Sequence, residues 1–256
     1  MLMKYFLFLP LLLGSSLLAT AQEKPATAPE KKPEAELSLN QRMFLNLPEE
    51  RRVEFGKHLG EADRLFRDKR VFESIDELEK AAAIFQDSPE LLNLRGSCFV
   101  EFRSFDKAML AYRAAEKLSP DSQSIQFNIG EVLFVTKQWK PALELFEKLL
   151  KGMDVKTDMA LMRLVEFKIL LCKIKVGQKE EAEILAEKYD YLDDSPYYYF
   201  AHGALCYEKR DLVKAEEWLA MAGRVFQGSG AIAPWQDTLV EFGYIKSFYG
   251  DDSAAE

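Results

Sequence analysis

The side chains best able to do chemistry here are few and scattered. The histidines are His58 and His202, and the cysteines are Cys98, Cys172 and Cys206. A metal centre needs such residues at short, fixed spacings, and a hydrolase needs a nucleophile within reach of its base. The patterns HExxH, CxxC and GxSxG do not occur, nor does a phosphate-binding glycine loop. The QGSG run at 227–230 is too short for a nucleotide fingerprint and reads as a loop. His202 stands beside Gly203 in an apolar run, where packing is its expected role. The pairs Glu180–Glu181 and Glu216–Glu217 read as solvated helix faces. No catalytic residue, metal site or cofactor is therefore expected, and the chain is read as not an enzyme. An odd cysteine count leaves at least one thiol unpaired within the chain. All three fall on apolar faces and read as small buried hydrophobes, with a Cys172–Cys206 bridge left open.

The elements that would hold such side chains are helices. Hydrophobic residues make up 48% of the chain, enough for a real core, and glycine (13) and proline (10) are sparse for a β-rich protein. Stretches rich in Ala, Leu, Glu and Lys favour helix. The net charge of −8, with no basic block after residue 70, argues against nucleic acid as a partner. At the N-terminus, Lys4 precedes an apolar stretch from Tyr5 to Leu18, and Ala19-Thr20-Ala21 forms a small-x-small cleavage site. Residues 1–21 thus read as a secretory signal peptide, and the product as exported, periplasmic or extracellular, with no stable membrane span after cleavage. An uncleaved anchor is the alternative. Residues 22–37 are a charged, proline-punctuated linker that cannot bury enough surface to order itself. Residues 250–256 read as a disordered tail. Met43, Phe44, Leu45 and Leu47 are expected to dock on the first folded unit as a lid. A helix follows Asn46, with Pro48, Glu49 and Glu50 in its first turn.

Laid against itself, the folded region 38–249 repeats with a period of about 34 residues. Leu92, Gly96 and Phe99 are followed by Phe105, Ala108, Tyr112, Ala115 and Pro120. Gly130, Leu133, Trp139, Ala142 and Phe146 return in the same phase. Tyr199, Gly203, Cys206, Leu212, Ala215, Leu219 and Ala222 do so again. Weaker copies begin near Phe55, with Ser74 for the usual Ala, and near Arg163, with Leu170 for the usual Gly. This order resembles the tetratricopeptide repeat (TPR). Units are expected near 55–88, 89–122, 123–156, 163–195 and 196–229, with extra residues around 151–157. Small residues at Gly96, Gly130 and Gly203 let paired helices approach closely. Trp235, Leu239, Phe242 and Ile245 form one stripe, with Gln236, Asp237, Glu241 and Lys246 elsewhere. Residues 233–249 are therefore expected to be a cap helix with a polar outer face.

The resemblance implies an all-α, right-handed α-solenoid of about five helix pairs plus that cap. It also implies a concave groove lined by the first helix of each pair, where family members bind protein or peptide. On that basis the groove comprises Phe127, Glu131, Phe134, Phe167, Leu171, Phe200 and Tyr207, with Asn93, Ser97 and Glu101 toward the N-terminal end. The expected function is a non-catalytic scaffold of the cell envelope that binds a partner protein, in assembly of a secretion, pilus or outer-membrane complex. A periplasmic carrier or enzyme-accessory protein binding a small apolar ligand is the alternative. Self-association stays open. At each aromatic position the bland reading, packing between units, competes with partner binding.

Overall fold

A computed structural model describes residues 37–227 and 230–246. The signal segment, most of the linker, Gly228 and Ser229 of the QGSG run, and everything after Lys246 lie outside the described residues. Within them the chain forms twelve helices and no strand. A short α1 (Leu39–Leu45) is followed by five antiparallel pairs. These are α2 (Glu49–Arg67) with α3 (Val71–Ala82), α4 (Pro89–Glu101) with α5 (Phe105–Leu118), and α6 (Gln123–Val135) with α7 (Trp139–Lys151). Next come α8 (Val155–Lys175) with α9 (Lys179–Ala186), α10 (Tyr197–Glu208) with α11 (Leu212–Val225), and a last helix, α12 (Ala233–Phe242).

The sequence sets these boundaries locally. Ser88 caps α4 through the Leu91 amide, and Pro89 sits in the first turn, where a missing N–H costs nothing. Every pair turns through one residue in the left-handed region: Lys69, Arg103, Lys137, Gly177 and Arg210. Only the fourth pair uses glycine there, and a side chain in that conformation costs about 1 kcal/mol. Lys137→Gly (φ 61°) is therefore expected to raise stability by roughly 0.5–1 kcal/mol, reversing the usual penalty for glycine. A lower melting temperature for the variant would contradict this.

Within pairs, close approach rests on glycine. A Cβ placed on Gly96 would lie 2.5 Å from the Tyr112 ring, and one on Gly130 2.5 Å from the Phe146 ring. The first helices are enclosed nearly all round: every residue from Ile125 to Phe134 of α6 is buried. The second helices are one-sided, with α7 burying Ala142, Leu143, Phe146 and Leu149 and leaving its other face to water. Successive first helices (α2, α4, α6 and α8, α10) touch one another, so they form the inner, concave side. The exception is the α6–α8 step. There α8 is 21 residues long, the extra length falling where the repeat is interrupted, and α6 and α8 come less close than their counterparts.

Two expectations are corrected. Of the lid residues, Phe44 packs against Phe55 and Phe85 at 5.2 and 5.3 Å, but Met43 and Leu45 are exposed, because α1 presents only one side to the first pair. The C-terminal helix is present, but it does not close the outer edge of the last pair. It turns back into the concave face against α6 and α8, where the wider step leaves room for it. It also stops at Phe242, because Gly243 adopts a left-handed conformation (φ 94°) that ends the helix.

Candidate functional site

The concave face is an aromatic floor with α12 lying on it. From α6, Phe134 stacks on Phe242 at 5.9 Å. From the start of α7, Trp139 meets the same ring edge-on at 5.2 Å. From α8 and α10, Phe167 and Phe200 contact the Trp235 indole at 5.3 and 5.7 Å. Beyond the helix end, Tyr244 stacks on Tyr207 at 5.3 Å, and its hydroxyl donates to Glu208 at 3.1 Å. Trp235, Leu239 and Phe242 are spaced to share one face of α12, and all three are buried.

The predicted groove residues divide accordingly. Phe134, Phe167, Phe200 and Tyr207 lie under α12 and the segment that follows it. Phe127 instead packs inward on Phe146 at 6.3 Å, and Leu171 is fully buried in the core. None of the seven stands open to solvent, since Glu131 too is buried. Sequence reasoning expected an open lining; the occupant is the chain's own last helix. Farther toward the N-terminus, Asn93 accepts a hydrogen bond from Asn128 at 2.9 Å, and Ser97 pairs with the Tyr112 hydroxyl at 3.1 Å. Glu101 pairs with Lys69 at 2.7 Å.

No protein-family model and no curated protein matches the sequence. Solved structures do resemble the fold. MamA from Desulfovibrio magneticus RS-1 matches with a TM-score of 0.55 at 20% identity, over 68% of this chain and 98% of that one. The pilF protein of Pseudomonas aeruginosa matches with a TM-score of 0.54 at 15% identity, over 76% and 94%. The C-terminal part of a TPR repeat-containing protein from Cytophaga hutchinsonii matches with a TM-score of 0.50 at 19% identity, over 72% and 78%. The fold is a TPR solenoid.

In this TPR solenoid the site's chemistry is electrostatic. Lys168, on α8 and 1% exposed, places its ammonium 3.0 Å from Glu131 of α6 and 3.7 Å from Glu241 of α12. It also stands 4.5 Å from the centre of the Phe134 ring. Burial works against the lysine's charge, but the two carboxylates outweigh it and hold its pKa above the ordinary value. Burial pushes both carboxyl groups up against the pull of Lys168, Glu241 to about 7. With Leu164, Pro234, Asp237 and Thr238 these groups line a half-open space of about 20 Å³, roughly one water. Sequence reading had placed Glu241 on a polar outer face and had not singled out Lys168. The available signal is a lysine between Phe167 and Ile169 in a helix whose apolar residues fall on every side, with no polar face to carry it.

Elsewhere the polar residues serve packing. His58 bonds Glu77 at 2.6 Å between α2 and α3. His202 stacks on Trp218 at 4.8 Å, and burial lowers its pKa. All three cysteines are unpaired, and burial pushes the Cys98 and Cys172 thiols up to about 11 and 12, away from reactive thiolate. Arg163 holds Asp193 at 3.0 Å and lies 3.6 Å from the centre of the Tyr189 ring, fixing the link from α9 to α10. No cluster of three or more metal-ligating side chains occurs among the described residues, and no helix among them is long and apolar enough to cross a membrane.

Proposed function

We propose that this chain is a non-catalytic interaction scaffold whose concave face receives a helical segment of a partner protein. The observation that carries the reading is the seat itself. Phe134, Phe167, Phe200 and Tyr207, from three successive pairs, already hold an amphipathic helix by its aromatic side chains. Aromatic anchors in a desolvated groove are the usual source of binding energy at such surfaces. We further propose that the protein acts in the cell envelope, on the strength of the signal-like residues 1–21, and that its partner belongs to an envelope assembly. The small-ligand alternative gains no support from the groove, where the half-open space beside α12 is only about 20 Å³.

A photo-crosslinker at two positions tests the reading. Lys175 lies beside the seat, its ammonium 4.6 Å from the centre of the Phe242 ring; Leu110 is exposed on α5, a second helix of its pair. Both are placed in a chain whose α12 is loosened by Trp235→Ala and Phe242→Ala, and crosslinking is done in the native envelope. The expected result is a discrete partner captured from position 175 and not from 110, at matched melting temperatures. Equal capture from both positions would sink the proposal.

A further inference from the structure

The seat of α12 carries more charge than it can neutralise, and this says what should replace it. Resting on the concave face as a receiving surface, we propose that the partner is an amphipathic helix that displaces α12. It repeats the stripe of Trp235, Leu239 and Phe242 but carries an uncharged amide or hydroxyl side chain where α12 has Glu241.

The stripe follows from the floor. Trp235 meets Phe167 and Phe200, Phe242 meets Phe134 and Trp139, and Leu239 lies fully buried between them. Any helix that fills this floor needs large apolar side chains at the same i, i+4, i+7 spacing. The exchange follows from the build of α12. It is a 10-residue helix, too short to be stable by itself, and it joins α11 through residues 226–232. That tether gives it an effective concentration in the millimolar range. A partner competes only if it fits better than α12 does.

The place to fit better is the Lys168 cluster. Facing this ammonium are Glu131 from α6 and Glu241 from α12, with Asp237 of α12 lining the same half-open space. Cys172, one turn along α8, is neutral. Lys175 is spent on the rings of Phe242 and Tyr244, and Glu208 is held by Tyr244 and Lys179. Lys168 and Glu131 alone make a balanced pair. Glu241 adds a surplus buried carboxylate, and buried charge is costly unless paired. Its raised pKa expresses that cost. A glutamine there keeps hydrogen-bonding capacity and removes the surplus charge, whereas a lysine would confront Lys168.

The test uses labelled peptides of residues 231–246: the native sequence, Glu241→Gln and Glu241→Lys. The receptor is the full chain loosened by Trp235→Ala and Phe242→Ala, and anisotropy is read at about pH 8 and about pH 5.5. At the higher pH the Glu241→Gln peptide is expected to bind about tenfold tighter than the native one. The gap should narrow at the lower pH, where the native glutamate takes up its proton on binding. The Glu241→Lys peptide should bind no tighter than the native one, and the unloosened chain should bind all three at least about tenfold more weakly, because its own α12 competes. A native peptide that binds as well as Glu241→Gln at about pH 8, a Glu241→Lys peptide that binds tightest, or an unloosened chain that binds equally well would overturn the proposal. If the loosened chain keeps its melting temperature yet binds no peptide, the receiving-surface reading fails with it. If the loosened chain loses its fold, Glu241→Gln in the full chain reads the same balance: its melting temperature at about pH 8 should rise, and no rise refutes the idea.

Discussion

Gly130→Leu is expected to cost about 3 kcal/mol or more, at the top of the range for overpacked cores. A Cβ at this position would lie 2.5 Å from Phe146 Cε1, closer than carbon atoms approach without movement. The ring has nowhere to go: Phe146 is fully buried, with Phe127 and Phe134 at 6.3 and 6.4 Å. The better helix propensity of leucine offsets less than about 1 kcal/mol of this. The control is Gly56→Leu at an exposed position of α2, where nothing lies within 4 Å of the added carbon and the change should be neutral or mildly stabilising. Urea unfolding followed by far-UV circular dichroism compares the two. Adding Phe146→Ala to Gly130→Leu should recover part of the loss, since the two changes share one space. A near-neutral Gly130→Leu would mean that α6 and α7 do not meet at Gly130.

The second large effect is at Lys168. Lys168→Met should lower stability at about pH 7.5 by roughly 3–5 kcal/mol, the usual cost of removing one partner from a buried ionic group. Glu131 and Glu241 would then share a largely buried space with no cation. The pH dependence has a definite sign. Without the ammonium both carboxyl pKa values rise further, so the native state binds protons that the unfolded chain releases. The deficit therefore grows as pH rises through the raised native values and shrinks as pH falls and the native carboxyls are neutralised. Glu131→Gln with Glu241→Gln in the same chain should restore most of the loss. Tryptophan emission is a suitable probe, because Trp235 lies on α12 and Trp139 packs against its Phe242 ring. A deficit below about 1 kcal/mol, or one independent of pH, would show that the cluster is solvated and carries little weight.

These two sites also mark what the sequence made legible. Gly130 was found by phase: a small residue recurring beside large ones, one per helix pair, identifies close approach without any structure. The αL turns follow the same phase but were visible only at Gly177, because Lys69, Arg103, Lys137 and Arg210 look like ordinary surface residues. The seat of α12 was legible only in half. The spacing of Trp235, Leu239 and Phe242 says that one face is covered, and the aromatics of α6, α8 and α10 say that something covers them. Periodicity reports that a face is buried and not what buries it, so the two halves stood apart as a cap and an empty groove. Lys168 and Glu241 were missed because a charged residue on a helix is read as solvated by default, and only the packing of a distant segment makes it otherwise.

The seating of α12 also changes how the array can come apart. An unadorned stack of helix pairs contacts only its neighbours and can unzip one unit at a time. Here Phe242 on Phe134 ties residues about a hundred positions apart, as in folds of high contact order. The apolar core divides accordingly. One body, running from Phe55 to Cys98, packs with Phe44 between α2, α3 and α4, and a second runs from Val100 and the buried face of α5 to Phe242. Helix α4 contributes to both. Helix α5, the C-terminal three pairs and their resident helix therefore form one cooperative unfolding block, latched shut by its own end. The first pair, with the N-terminal part of α4, forms a second block that can open locally without releasing the latch.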